Sequence, residues 1–111
     1  MRVLIDNCVP KRLASAIAGH NVACVVDLGW GALPDGTLLD RIANEHDALV
    51  MVDRNIRHQQ RLDSRPFCVV VLRARTNRLA DLLPLIPALL DVLGRAEPGK
   101  VYEIDAPLSL A

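Results

Sequence analysis

The 111 residues predict an α/β domain of three layers, α/β/α, with a mostly parallel sheet of four or five strands at its centre. Three observations carry this reading. Short apolar runs alternate with stretches of helical spacing along the whole chain. Two of those runs, Val3-Leu4-Ile5 and Leu49-Val50-Met51-Val52, are apolar at consecutive positions, as in strands buried on both faces of a covered parallel sheet. Both runs stop abruptly in an acid close to an amide, at Asp6-Asn7 and at Asp53-Arg54-Asn55.

The totals agree with one domain over residues 1–105 and a loose tail over 106–111. A chain of this length builds one core but not two, and 51% hydrophobic residues exclude disorder. No apolar run approaches the roughly 18 residues of a membrane span. Met1 leads straight into a strand, with no signal peptide, so a soluble cytoplasmic protein without a membrane partner is expected.

After the first strand, Pro10 opens a helix where its missing N–H costs nothing, with Leu13, Ala14, Ile17 and Ala18 as the apolar stripe and Gly19 as the stop. Asn21 to Val26 reads as a second strand, followed by a shaped loop from Asp27 to Pro34 with two glycines around the sole Trp. Trp30 is expected to plug the edge of the core or to cover a site. Asp35 sits where an N-cap belongs, ahead of Leu38, Leu39, Ile42 and Ala43 at helical spacing, with Asp40 and Glu45 facing water. Asn44 to Ala48 is a polar link in which His46 should be solvated.

Beyond the central strand, Asn55 to Leu62 is too polar for a core helix and reads as a short exposed one. Pro66 precedes Phe67 to Leu72, the most β-prone run of the chain. Leu79 to Gly94 is helical in composition, with Asn77 as cap, Gly94 as stop, and Pro84 and Pro87 expected to kink or split it. It holds more apolar residues than one sheet face covers, so 79–94 is either a deeply packed helix or a homodimer surface. Lys100 to Ile104 alternates apolar and polar residues, as an edge strand does.

Cys8, Cys24 and Cys68 are odd in number and widely spaced, which argues against both a disulfide framework and a zinc site. Core packing is the expected role of all three.

The formal net charge of zero conceals segregation. Residues 54–78 hold seven arginines, Arg54, Arg57, Arg61, Arg65, Arg73, Arg75 and Arg78, against the single Asp63. Arginine is suited to forked contacts with phosphate; a solvated face is the plainer explanation of the cluster.

If right-handed crossovers place the first strand beside the third, Asp6 and Asp53 flank a topological switch point, where open α/β sheets carry their ligands. Neighbouring strands lie roughly 4.8 Å apart. Two carboxylates that close repel unless a cation lies between them. Either Asp alone is also explained as a helix cap. Asp35, opening from the loop after the second strand, belongs to the same edge.

Leu4-Ile5-Asp6-Asn7 with Pro10, Gly29-Trp30, Asp35-Gly36, Val52-Asp53-Arg54-Asn55 and Val70-Val71-Leu72-Arg73 together resemble the short PIN-like proteins of bacteria, relatives of the PIN-domain ribonuclease toxins of toxin-antitoxin pairs. The resemblance spans nearly the whole chain and rests on order and spacing rather than on one specific motif. It implies a PIN-like fold and a ribonuclease dependent on Mg2+ or Mn2+. Asp6 and Asp53 match the metal-holding acids, and Asp35 is the third catalytic acid. Asn55 stands where a further acid or amide is usual. A cognate antitoxin is the implied protein partner.

The chemistry of the residues is compatible with that class. A cation can activate water against a phosphodiester, while Arg54, Asn55, Arg57, Arg61, Arg73 and Arg75 would hold RNA. A non-catalytic PIN-like module that only grips RNA or protein is the main alternative. A phosphoryl-accepting receiver domain fits less well, since it wants a second acid beside Asp6, a Thr or Ser after the fourth strand and a Lys after the fifth, where Asn7, Arg73 and Asp105 stand.

Overall fold

The apolar runs become five parallel strands: β1 (Arg2–Ile5), β2 (Asn21–Cys24), β3 (Ala48–Val52), β4 (Cys68–Arg73) and β5 (Val101–Asp105). The computed structural model describes residues 1–30, 32–52 and 65–106. Strand order is β2-β1-β3-β4-β5, with every neighbouring pair parallel. The chain therefore leaves β1 for β2 on one side and returns to β3 on the other, so the switch point lies between β1 and β3. All carboxyl ends share one edge.

Side-chain alternation divides the core in two. Val3 and Ile5 of β1, Ala48, Val50 and Val52 of β3 and Cys68, Val70 and Leu72 of β4 face one layer, which is closed by Leu13, Ile17 and the C-terminal helices. Leu4, Leu49, Val69 and Val71 face the other, closed by Val25, Trp30, Leu39, Ile42 and Phe67. Helices cover both faces, as the continuous apolar character of β3 and β4 requires. No polar or charged residue among the described ones is fully buried, so the described chemistry of this domain sits at edges and in loops.

Helix α1 (Val25–Leu28) and helix α2 (Asp35–Glu45) cover the second face. The second strand is shorter than its apolar run suggests: it stops at Cys24, and Val25 begins α1. The cause is Gly29, whose left-handed backbone (φ 72°) lets its N–H reach Val26 O at 3.3 Å while the Trp30 N–H reaches Val25 O at 3.2 Å. Trp30 is buried in this layer as a plug. Pro34, rather than Asp35, takes the N-cap of α2, with no side-chain cap hydrogen bond.

On the first face, the segment after Pro10 is a 3-10 helix over Lys11–Ala16 rather than an α-helix, closed by Leu13 N–H to Pro10 O at 2.9 Å. Between Pro10 and the left-handed Gly19 at φ 82°, this short connector takes the tighter 3-10 form common in such segments. Leu13 and Ile17 still anchor it to the sheet, Ala14 is half-buried against them, and Ala18 is exposed. The prolines split the last helical region into α3 (Leu79–Leu82), a 3-10 turn (Leu83–Leu85) and α4 (Ile86–Arg95). Gly94 does not stop α4, because its backbone stays helical; Gly99, at φ 81°, turns the chain into β5. Leu82, Leu85, Leu89, Val92 and Leu93 are buried, so most of this apolar surface is spent inside the domain, and Leu83 stays exposed.

His46 is half-buried rather than solvated. Its ring meets the edge of Trp30 at 5.8 Å between centroids, and neither ring nitrogen has a hydrogen-bond partner among the described residues. The Arg41 guanidinium lies over the same indole at 5.9 Å. Burial pushes the imidazole pKa below its ordinary 6.5, with Arg2 adding to that and Glu45 and Asp47 opposing it. The unfolded chain then takes up a proton that the folded ring resists. The His46 share of stability is fully present above pH 6.5 and is lost as pH falls through 6.5 towards the lower folded value. Urea midpoints taken at pH 8 and pH 5.5 should therefore fall further for the parent than for His46→Phe. Equal falls would show that this ring does not titrate with unfolding.

Candidate active site

Parallel pairing of β1 with β3 sets Leu4 opposite Leu49 and Ile5 opposite Val50. The ladder continues one step, since the Asp6 N–H donates to Val50 O at 3.0 Å, and Asp6 O accepts from the Val9 N–H at 3.0 Å in a tight turn. Asp6 thus leaves β1 on a backbone fixed at both ends. Its carboxylate is partly exposed at the carboxyl edge.

Cys8 links Asp6 to the exit of β3. Its Sγ lies 3.5 Å from Asp6 Oδ2 and 3.9 Å from Val52 O, the last carbonyl of β3. Burial, reinforced by the nearby Asp6 charge, pushes the Cys8 thiol up. Cys8 therefore stays protonated and donates to the carboxylate, which makes it a packing and orienting residue rather than a nucleophile. Asp53 follows Val52 in the chain and lies outside the described residues, as do Arg54, Asn55, Arg57 and Arg61. The expected short helix over Asn55 to Leu62 lies outside them too.

The loop after β4 arrives from the other side. The Asn77 amide Nδ2 donates to Cys8 O at 3.2 Å, so Asn77 ties the β4–α3 loop to the turn that holds Asp6. Capping of α3 was its expected role; Arg78 stands at that position instead. Thr76 accepts the Arg78 N–H at 3.0 Å and shares its hydroxyl with the Asp81 carboxylate, which accounts for the acid in the first turn of α3. Composition gave no hint of the Asn77 contact. It joins positions far apart in sequence.

Of the predicted RNA-holding arginines, Arg75 is exposed beyond the end of β4. Arg73 donates to Glu103 at 3.2 Å and pairs with Asp105 at 3.3 Å, both on β5. It ties β4 to the edge strand and would have to leave two carboxylates to reach a phosphate. Arg65 pairs with Asp40 of α2 at 2.7 Å. Asp35 starts α2 at the carboxyl edge, with its side chain outside the described atoms.

On the β2 side of Asp6 lies a concavity of about 490 Å³, lined by Asp6, Asn7, Lys11, Cys24 and Val26 among others. Lys11 Nζ donates to Asp27 Oδ1 at 2.9 Å at its rim. Lys11 directly follows the Asp6-Asn7-Cys8-Val9-Pro10 stretch, yet sequence reasoning passed over it because its charge looked like ordinary surface.

The donor set suits a hard cation in kind. Asp6 offers carboxylate oxygen, Asn7 adds an exposed amide beside it, and the only described hydrogen bond to the Asp6 side chain is the weak one from a thiol. In number the described residues give one such acid, with no group of three or more His, Cys, Asp or Glu among them. No protein-family model, curated protein or solved structure matches the chain. Among the described residues no helix is long and apolar enough to cross a membrane.

Proposed function

We propose that this protein is a metal-dependent ribonuclease of PIN-like type whose reaction centre forms where β1 and β3 end. The observation that carries the reading is the Cys8 bridge: one side chain touches both the Asp6 carboxylate and the carbonyl of Val52, the residue that precedes Asp53 in the chain. Magnesium or manganese, held by Asp6 and Asp53 with Asp35 assisting, would neutralise charge on the phosphodiester and activate the attacking water.

The chain's own residues do the rest. The Asp6 backbone is pinned by Val50 and Val9, which fixes the point from which its side chain leaves the chain. The Cys8 thiol holds one oxygen and leaves the other unclaimed by any described hydrogen bond. Asn77 steadies the turn through the Cys8 carbonyl. Arg54, Asn55, Arg57, Arg61 and Arg75 are the groups for the phosphates of the strand. Partners on this reading are RNA and, as in the toxins the sequence resembles, a cognate antitoxin.

The test is incubation of purified protein with total RNA and magnesium or manganese, with Asp53→Asn as control. Metal-dependent cleavage that the control loses supports the reading. Binding of RNA without cleavage favours the non-catalytic module.

A further inference from the structure

Among the described residues, the concavity beside Asp6 is lined by the turn after β1 and by the end of β2 and the start of α1, on the β2 side of Asp6. At about 490 Å³ it falls within the size range of small-molecule sites. Its walls are mixed. Asn7 is exposed and brings a carboxamide, which both donates and accepts. Val26 is 62% exposed although it is a large aliphatic residue, and with Val9 it forms apolar wall.

Charge decides which ligand suits it. Among the described residues Lys11 is the cation of the lining, and Asp27 at 2.9 Å already compensates it, the carboxylate hydrogen bond holding the ammonium pKa above its ordinary value. Asp6 adds a negative charge. An isolated phosphate would gain little there and would be repelled by Asp6. A neutral, flat, polar-edged ring on a hydroxylated sugar meets the aliphatic wall with its face and the carboxamide with its edge. Asn side chains pair with base edges in this way.

We propose that this concavity is a nucleoside subsite: it seats the base and ribose of one nucleotide of a bound RNA strand, with the phosphates left outside it. Val26 packs against the base, Asn7 hydrogen-bonds base or ribose, and the Lys11–Asp27 pair forms the far rim. The assignment to RNA rests on the ribonuclease reading, whereas nucleoside binding itself does not.

The experiment is a titration of the four ribonucleosides, and separately of inorganic phosphate, into isotope-labelled protein in excess EDTA, followed by amide shifts. With metal removed no cleavage contributes. Saturable shifts at Asn7, Val9, Lys11, Val26 and Gly29 are expected with at least one nucleoside, with little response to phosphate. Asn7→Ala and Val26→Ser should each weaken that nucleoside about three- to tenfold, the worth of one hydrogen bond or one partly buried aliphatic contact. Both positions are exposed, so the variants should keep the fold, and the rest of the amide spectrum checks it. Absence of saturable shifts, shifts centred elsewhere, phosphate shifting the same amides as strongly, or unaltered affinity in both variants would each overturn the subsite. Nucleoside binding in a protein that cuts no RNA would uphold the subsite and remove the ribonuclease. Cleavage without nucleoside binding would do the reverse.

Discussion

Replacing Asp6 by Asn should lower magnesium-dependent cleavage of RNA by at least about a hundredfold while leaving the domain folded. The size follows from what a preorganised charge at a reacting centre is worth, roughly two to three decades in rate. The fold should survive because Asp6 serves the backbone through its N–H to Val50 and its carbonyl to Val9, and neither bond uses the carboxylate. The Cys8 thiol can donate to an amide oxygen as it does to Oδ2. Single-turnover cleavage of a defined RNA, beside a urea melt of the same variant, separates the two effects. A rate within about threefold of the parent would remove Asp6 from the reaction. A large fall in the urea midpoint would instead show that the acid is structural.

The largest stability effect is expected at Phe67. This residue has no exposed surface and sits just before β4, in the layer with Leu4, Trp30, Leu39, Ile42 and Val69. Its own carbonyl accepts the Gly99 N–H at 3.1 Å, which brings in the turn before β5. Phe67→Ala removes a whole ring from a close-packed layer and should cost about 3–5 kcal/mol. Against a total of roughly 5–15 kcal/mol for a domain, that leaves a marginal fold. Urea denaturation at 25 °C measures it. A loss below about 1 kcal/mol would mean that the helical layer collapses readily into the space.

The elements that the sequence made legible are those in which burial and periodicity coincide. Val69, Val70 and Val71 are apolar on both faces because both faces are covered, and a run of that kind has few other solutions. The pairing of β1 with β3 follows from chain economy, and with it the edge shared by Asp6 and the end of β3. Pro84 and Pro87 break the C-terminal helix for a reason written in the residues themselves.

Most of what escaped has a tertiary cause. His46, between Glu45 and Asp47, looks solvated until Trp30 arrives from a different loop and covers it. Val25 and Val26 favour a strand by propensity, and the single left-handed Gly29 overrides them. Asn77 resembled a cap because it precedes a helix, yet its amide is spent on the Cys8 carbonyl. Arg73 was read with its basic neighbours, but the register of β4 with β5 sets it opposite Asp105, where the acids of the edge strand hold it. For His46, Asn77 and Arg73 the deciding group lies too far along the chain for a local pattern to register, whereas Gly29 follows Val26 by three residues.

Manganese-induced broadening of backbone amide signals tests the central claim most directly, that a divalent cation is held where β1 and β3 end. At substoichiometric manganese, the amides of Asp6, Asn7 and Cys8 should broaden first, ahead of those at the opposite edge of the sheet, and Asp53→Asn should need markedly more metal for the same effect. Broadening centred on another part of the surface, or an identical response from Asp53→Asn, would contradict the account.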